Sequence, residues 1–469
     1  MRFQSQLLFG TIDCQSLLES LNGSVEVTLI DSGIKRPMKG KYQWEEKQDF
    51  IVVGPFNEPE KAISIQKEIP ITSDLLGFIG LYLGDGDKTG DIGFSQREIN
   101  ILKFAVDMQN KIFSSQFPMA FSILEDTKRF QNESLTQKLD SIKRELRNEL
   151  PQPIENIEKK TQQEFLIREF LEKASSVSLA VERSSIGSPV ISPKKGARAA
   201  GKSSLEYIQQ LRGSAWLLPL WMKIVYETVD SVVKKKEVKG NWLRWETDKE
   251  YLLNVSSYLR EEVSYFTGRK IARYEVEKEN CRARIIYKTN RHKACINDPL
   301  KLSPLFFLVA GFYFAEGDTK KENIFLFDRQ KVSLSVALTS SEERILDSFI
   351  KLLNLIGDDL LNKWKVKVGT KYFMELEEIA QKMGVITMRG GVKGQGYVRT
   401  LEIHEAMREW ALSLFPCLAP YKTRYTNVEV TGVGIPRVHL MGNSTVDVYF
   451  FSLLKDAIFD TGKIIRHLE

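Results

Sequence analysis

The chain is poor in the residues that mark several common function classes. Its 469 residues hold four cysteines, Cys14, Cys281, Cys295 and Cys417, and no two stand in C-x-x-C spacing. That argues against structural zinc and against a disulfide framework, and predicts reduced thiols. Histidine is equally scarce: His292, His404, His439 and His467 are scattered, without metal-ligand spacing. Long hydrophobic runs are missing too. The most apolar stretch, Leu305 to Ala315, covers 11 residues and stops at Glu316, about half of what a bilayer-crossing helix needs. Met1 to Gln6 lacks the basic-then-apolar layout of a secretory signal. The expectation is a cytoplasmic protein that makes no membrane contact. Charge of one sign is also absent in bulk, because 67 Lys and Arg stand against 61 Asp and Glu, a net charge of +6. A surface for a polyanion must therefore come from local placement of charge.

What is present is a core-forming composition, 42% hydrophobic and 10% aromatic, in a chain long enough for two substantial units. Two segments carry the same unusual pattern: Phe78-Ile79-Gly80-Leu81-Tyr82-Leu83-Gly84-Asp85-Gly86-Asp87 and Val309-Ala310-Gly311-Phe312-Tyr313-Phe314-Ala315-Glu316-Gly317-Asp318. Each is an apolar run of about three helical turns that ends in an acid, a glycine and a second acid. Each also carries small residues four apart, Gly80/Gly84 and Gly311/Ala315, which share a helix face and let two backbones approach closely. The terminal glycine is expected to end each helix in a left-handed conformation. Helices paired through the small face bring Asp85 and Glu316 side by side at the negative ends of two helix dipoles. Oxygen ligands placed so suit Mg2+, which completes its shell with water and phosphate.

This constellation resembles the signature of the LAGLIDADG homing endonucleases in their two-motif, single-chain form. The motif's penultimate acid falls on Asp85 in one copy and Glu316 in the other. Its sixth position, usually acidic or polar, is Leu83 and Phe314, and that position is not the metal ligand. The resemblance implies an α/β (α+β) fold of two pseudo-symmetric units, each a saddle-shaped antiparallel sheet covered by helices, paired through the motif helices. It also implies a monomeric, Mg2+-dependent endonuclease, with Mn2+ as a substitute, that cuts double-stranded DNA. A non-cleaving DNA-binding regulator, or an RNA maturase acting on intron RNA, would keep the same fold.

Duplication is legible elsewhere. The two acids stand 231 positions apart, and Val181-Glu182-Arg183-Ser184-Ser185-Ile186-Gly187-Ser188-Pro189 echoes Val428-Glu429-Val430-Thr431-Gly432-Val433-Gly434-Ile435-Pro436 at an offset of 247. After each motif come a strand and an amphipathic helix. In the second half Val332, Leu334, Val336 and Leu338 alternate with small polar residues that include Ser333 and Ser335. Ile345, Leu346, Phe349, Leu352, Leu353 and Ile356 then recur at helical spacing. In the first half Ile92 and Phe94 precede Ile101, Ala105, Met108 and Ile112. The chain divides into a strand-rich extension over 1–70, a first unit over 71–235, a basic strand-rich extension over 236–300 and a second unit over 301–469. Within the first unit, about 126–176 is rich in both charge signs and reads as a pair of surface helices.

Asp85 and Glu316 are the expected metal ligands, with the backbone carbonyls of Gly84 and Ala315 as further oxygens; Asp87 and Asp318 are expected to organise the turns. By the resemblance, polar residues after the first strand, Gln96 and Ser340, order water around the metal, although such residues also serve as helix caps. Lys422, in Pro420-Tyr421-Lys422, matches a family lysine that acts in catalysis or holds phosphate. DNA contact is expected from the strand Arg282 to Lys288, where Arg282 and Arg284 share a face. Arg269 and Lys270 lie near it in sequence, Lys194 and Lys195 sit in a basic loop, and Ser333 and Ser335 line the polar side of a sheet strand.

Overall fold

The computed structural model describes residues 7–31, 34–96, 99–113, 117, 119–126, 176–182, 206–246, 251–253, 274–279, 282–287, 293–317, 337–369, 401–431 and 436–442. It is a mixed α/β protein with several antiparallel sheets. Strand β1 (Leu8–Asp13) enters the short helix α1 (Cys14–Leu21), whose first turn is capped by the Asp13 carboxylate accepting from Ser16 N–H. Then β2 (Ser24–Asp31), β3 (Ile34–Glu46), β4 (Phe50–Pro55) and β5 (Ile63–Gln66) form an antiparallel meander, and β6 (Glu68–Thr72) returns to pair with β1. The first motif helix, α2 (Ser73–Asp85), follows, with β7 (Gly93–Gln96), α3 (Ile99–Phe113), β8 (Met119–Asp126), β9 (Ser176–Glu182), β10 (Glu206–Leu211) and α4 (Leu218–Lys234).

The second half opens with β11 (Leu243–Trp245), which pairs with β1, and β12 (Leu252–Leu253). A second antiparallel meander, β13 (Tyr274–Glu279), β14 (Arg282–Tyr287) and β15 (Lys293–Asn297), leads to β16 (Leu300–Lys301), which pairs with β12 just before the second motif helix, α5 (Pro304–Glu316). Next come β17 (Ala337–Ser340), α6 (Glu343–Ile356), β18 (Leu361–Gly369), α7 (Leu401–Leu414), β19 (Tyr425–Thr431) and β20 (Arg437–Gly442).

Each motif helix is followed by a four-stranded sheet of the same connectivity. The first has the order β7-β10-β8-β9 and the second β17-β20-β18-β19. In both, the last-formed strand lies antiparallel between the first two, and the outermost pair, β8/β9 or β18/β19, is parallel. The expected purely antiparallel sheets are therefore mixed. A parallel pair needs a crossover, and between β18 and β19 the chain passes through α7. Continuous register rows make the halves comparable residue by residue. Gly86, Phe94, Gln209, Phe121 and Val177 form one row; Gly317, Leu338, Leu440, Trp364 and Tyr425 form the other. The sequence echo begins on the equivalent strands β9 and β19, but the register sets Leu179, not Val181, in the place of Val428.

The helices cover one side of these sheets. In α6 the expected residues Ile345, Leu346, Phe349, Leu352, Leu353 and Ile356 are buried, and in α3 Ile101, Ala105, Met108 and Ile112 are. Trp221 of α4 packs with Phe78, Tyr82 and Phe113, an aromatic cluster that fixes the first motif helix against its own unit. Tyr313 occupies the position of Tyr82 and stacks on Phe349 of α6. Residues 127–175, expected as surface helices, and 332–336, expected as strand, lie outside the described residues.

Candidate active site and nucleic-acid interface

Among the described residues the two motif helices make the most extensive helix contact. Their sequences explain it: Ser73 to Leu83 of α2 and Phe306 to Tyr313 of α5 are buried on every side, as helices without a polar face must be. A methyl group on Gly80 would stand 2.1 Å from the Leu308 carbonyl oxygen, and one on Gly311 2.1 Å from that of Gly77. The same added atoms would meet Phe312 N at 3.1 Å and Leu81 N at 2.6 Å. Leu308 and Phe312 are the counterparts of Gly77 and Leu81, so each helix offers the other the same surface, as in a twofold interface. Leu8 pairs with Thr72 just before α2, and Tyr251, whose hydroxyl donates to Leu8 O at 3.1 Å, accepts at its carbonyl from Leu302 N–H just before α5, so both helices start at the same end and run parallel. The closest approach lies at Gly80 and Gly311; Gly84 and Ala315, the other members of the expected small pairs, are half-buried in the last turns.

Both helices end alike. Gly86 N–H donates to Tyr82 O at 2.9 Å and Gly317 N–H to Tyr313 O at 2.8 Å, and each glycine bridges the strand that follows, at Phe94 and Leu338. The expected left-handed cap is absent, because both glycines have φ −71° and ψ 147°. Glycine is needed there for space. A methyl group would lie 2.5 Å from the Tyr82 carbonyl oxygen in one copy and 2.2 Å from that of Tyr313 in the other.

Asp85 and Glu316 are the last residues of α2 and α5. Each lies five residues past its crossing glycine, about 7.5 Å along the axis and on the same side of the crossing. Asp85 is half-buried, and Gln96 Nε2 donates to its Oδ2 at 2.7 Å. The side chain of Glu316 lies outside the described residues. Among the described residues no group of three or more His, Cys, Asp or Glu side chains is arranged to hold a metal. A carboxylate at a helix C-terminus, beside the carbonyls of the last turn, is nonetheless a hard oxygen donor set of the kind Mg2+ takes with water and phosphate. Among the described side chains Asp85 is the one such donor at the helix ends.

The neighbours of Asp85 hold its loop. Asp87 Oδ1 accepts from Thr89 N–H at 2.8 Å and Gly90 N–H at 3.2 Å, so it organises the turn; Asp318 lies outside the described residues. Lys88 Nζ donates to Leu83 O at 2.5 Å at the negative end of α2. The same lysine reaches Glu342 of the second half, Nζ to Oε2 3.9 Å. Glu342 is buried, which pushes its carboxyl above the ordinary glutamate value, and the nearby Lys88 and Arg344 only partly offset that. Arg344 also binds Asp230 of α4 through Nε at 2.9 Å and lies over the Tyr226 ring. Sequence reading missed this buried charge cluster between the halves, and its members carry no motif.

The row positions of Gln96 and Ser340 are equivalent, but the side chains differ in use. Ser340 is 2% exposed and its Oγ accepts from Glu342 N–H at 3.1 Å, so it closes the turn that leads into α6. Lys422 is exposed on the 3-10 segment Pro416–Arg424, three residues before the end of the register row that begins at Gly317. Arg282 and Arg284 of β14 stand directly opposite Glu279 and Glu277 of β13. Lys288, Arg269, Lys270, Lys194, Lys195, Ser333 and Ser335 lie outside the described residues.

A basic strand face exists elsewhere. In β18, Trp364, Val366 and Val368 are fully buried, whereas Lys363 is exposed and Lys365 and Lys367 are half-buried on the other side. Register places Arg437 beside Lys367 and His439 beside Lys365, and Thr339 Oγ1 and His439 Nδ1 share a 2.8 Å hydrogen bond. The signal was in the sequence as the strict alternation Lys-Trp-Lys-Val-Lys-Val. None of the described helices is long and apolar enough to cross a membrane. Cys14, Cys295 and Cys417 are free thiols, and burial pushes that of Cys14 up to about 12. No protein-family model, curated protein or solved structure matches the chain.

Proposed function

We propose that the protein is a metal-dependent, site-specific endonuclease of double-stranded DNA, a monomer of two pseudo-symmetric units on the two-motif LAGLIDADG plan. One observation carries the reading: the reciprocal crossing at Gly80 and Gly311 gives Asp85 and Glu316 equivalent places on one side of the helix pair. A pair of helices that served only to join two halves has no need of an acid at both ends. In this reading each four-stranded sheet turns the side opposite its helices toward DNA as a saddle, and the scissile phosphates lie under the paired helix ends.

Asp85 and Glu316, with the carbonyls of Gly84 and Ala315, would hold Mg2+, which supplies charge neutralisation at the phosphate and lowers the pKa of a bound water. The chain's own residues do the rest. Gln96 fixes the orientation of the Asp85 carboxylate by donating to Oδ2, and Asp87 holds the turn that carries it. Lys422 adds positive charge for a phosphate on the exposed edge of the second unit. Incubation with a library of duplex DNA, with Mg2+ and with EDTA, tests the proposal. Metal-dependent double-strand breaks at a defined site are expected; tight duplex binding without cleavage would make the protein a DNA-binding regulator instead.

A further inference from the structure

The backbone ladder of α2 breaks off one residue after Gly86. An α-helix would pass from Gly86 N–H, which donates to Tyr82 O, to Asp87 N–H donating to Leu83 O. Asp87 N–H donates to Gly93 O at 2.9 Å instead and closes the loop that follows. Leu83 O therefore loses its helical donor two residues before Asp85, and Lys88 Nζ takes that place at 2.5 Å. The same ammonium lies 3.9 Å from Glu342 Oε2 in the second half of the chain, with only 13% of the lysine side chain exposed.

Glu342 is a fixed point for that lysine. Its N–H donates to Ser340 Oγ, and its carbonyl accepts from Ile345 N–H and Leu346 N–H in the first turn of α6. Arg344 Nη1 stands 3.7 Å from its other oxygen, Oε1, and Arg344 Nε is bonded to Asp230 of α4 at 2.9 Å. Lys351, two turns further along α6, donates to Val233 O of α4 at 2.9 Å, so the two helices are tied at two levels. A run of charges thus passes from Asp230 through Arg344 and Glu342 to Lys88 and ends on the last turn of α2. Burial spares it most of the screening that makes surface pairs weak.

We propose that Lys88 is a positioning residue for Asp85: through Glu342 it carries the hold of the second unit onto the last turn of α2, and so fixes where the Asp85 carboxylate and the Gly84 carbonyl stand. Gln96 holds the carboxylate itself, whereas Lys88 holds the backbone that bears it. The proposal rests on the nuclease reading and adds that the metal site at the first motif helix depends on a contact across the halves.

Hydrogen–deuterium exchange of the protein in EDTA, without DNA, reads this hold, because Asp87, Thr89 and Gly90 N–H are all bonded within the loop. Lys88→Met is expected to speed exchange over residues 86–93 by about tenfold, the effect of losing one hydrogen bond from a charged group, and Lys88→Arg should restore it. Glu342→Gln is the sharper variant, since it leaves the bond to Leu83 in place and removes a buried charge. Exchange over 86–93 should still quicken, by about fivefold, while residues 8–21 keep the wild-type rate. If Lys88→Met does not fold, Glu342→Gln decides alone. With Mg2+ and a cleavable duplex, both variants should need about tenfold more metal for half-maximal cutting, at unchanged duplex affinity in EDTA. Unchanged loop exchange in Glu342→Gln, or an equal rise over residues 8–21, overturns the proposal, and so does an unchanged metal requirement in an enzyme that cuts; the nuclease reading then stands. Loop exchange that rises as expected in a protein that never cuts removes the nuclease reading and leaves Lys88 as the residue that holds the loop.

Discussion

Gly80 and Gly311 face each other reciprocally, each lying against the carbonyl of the residue three before the other, at Leu308 and Gly77. A methyl group at either position must displace backbone rather than the end of a flexible side chain. Gly80→Ala or Gly311→Ala should therefore destabilise the protein by about 2–3 kcal/mol, more than the roughly 1 kcal/mol that alanine returns in helix propensity. Chemical denaturation checks this. A variant as stable as the wild type would mean that the helices are not packed backbone to backbone.

Removing charge at the helix ends separates chemistry from binding. Asp85→Asn and Glu316→Gln are each expected to abolish double-strand cleavage while leaving duplex affinity in EDTA largely intact. Full activity in either variant removes that residue from the mechanism.

Gln96 tests how far the Asp85 carboxylate depends on being held. Partners that orient a metal-ligating side chain are typically worth about 10–100-fold in activity or metal affinity, so Gln96→Ala should lower cleavage by that factor and raise the Mg2+ concentration needed for half activity. Ser340→Ala, at the equivalent row position, should instead cost about 1 kcal/mol of stability through the lost buried hydrogen bond to Glu342 N–H. Its metal requirement should stay at the wild-type level. A Gln96→Ala enzyme with wild-type Mg2+ dependence would assign Gln96 a structural role only.

Glu342 gives a pH prediction with a definite sign. Its folded-state value is raised, by burial first, with Asp230 adding to the rise and Lys88 and Arg344 opposing it. The folded protein thus holds this proton more tightly than the unfolded chain does. That contribution to stability is present below the ordinary glutamate value and is lost as pH rises through the folded value. Glu342→Gln should match the wild type in mildly acidic solution and gain on it toward neutral pH. Lys88→Met should act oppositely, costing up to about 3 kcal/mol at neutral pH by leaving the buried carboxylate with one cation fewer. Urea unfolding across this pH range decides the matter: parallel curves for wild type and Glu342→Gln would show that the carboxyl is not desolvated.

Local pattern was enough for the elements whose burial is uniform or periodic. The C-terminal ends of α2 and α5 could be read because an apolar run ending in acid and glycine has few other uses. The burial of α6 could be read from its helical spacing. Pattern alone was not enough where the answer depended on a partner strand. Nothing in the sequence around Arg282 and Arg284 of β14 says that Glu279 and Glu277 of β13 stand in register with them. The lysines of β18 alternate in the sequence, but the sheet that sets His439 and Arg437 beside Lys365 and Lys367 is closed by β20, from far along the chain.

By itself, then, the amino-acid order determined that two like helices would form, that each would end in a carboxylate, and that the chain would repeat itself. These are properties of a few consecutive residues, set by side-chain volume and apolar character. Tertiary structure alone decided that the glycines cross reciprocally, that Gln96 rather than Ser340 reaches a carboxylate, and that a half-buried lysine and a buried glutamate join the halves. Such relationships come from non-local packing, in which the position of one backbone against another, and not the identity of either residue, sets which groups meet.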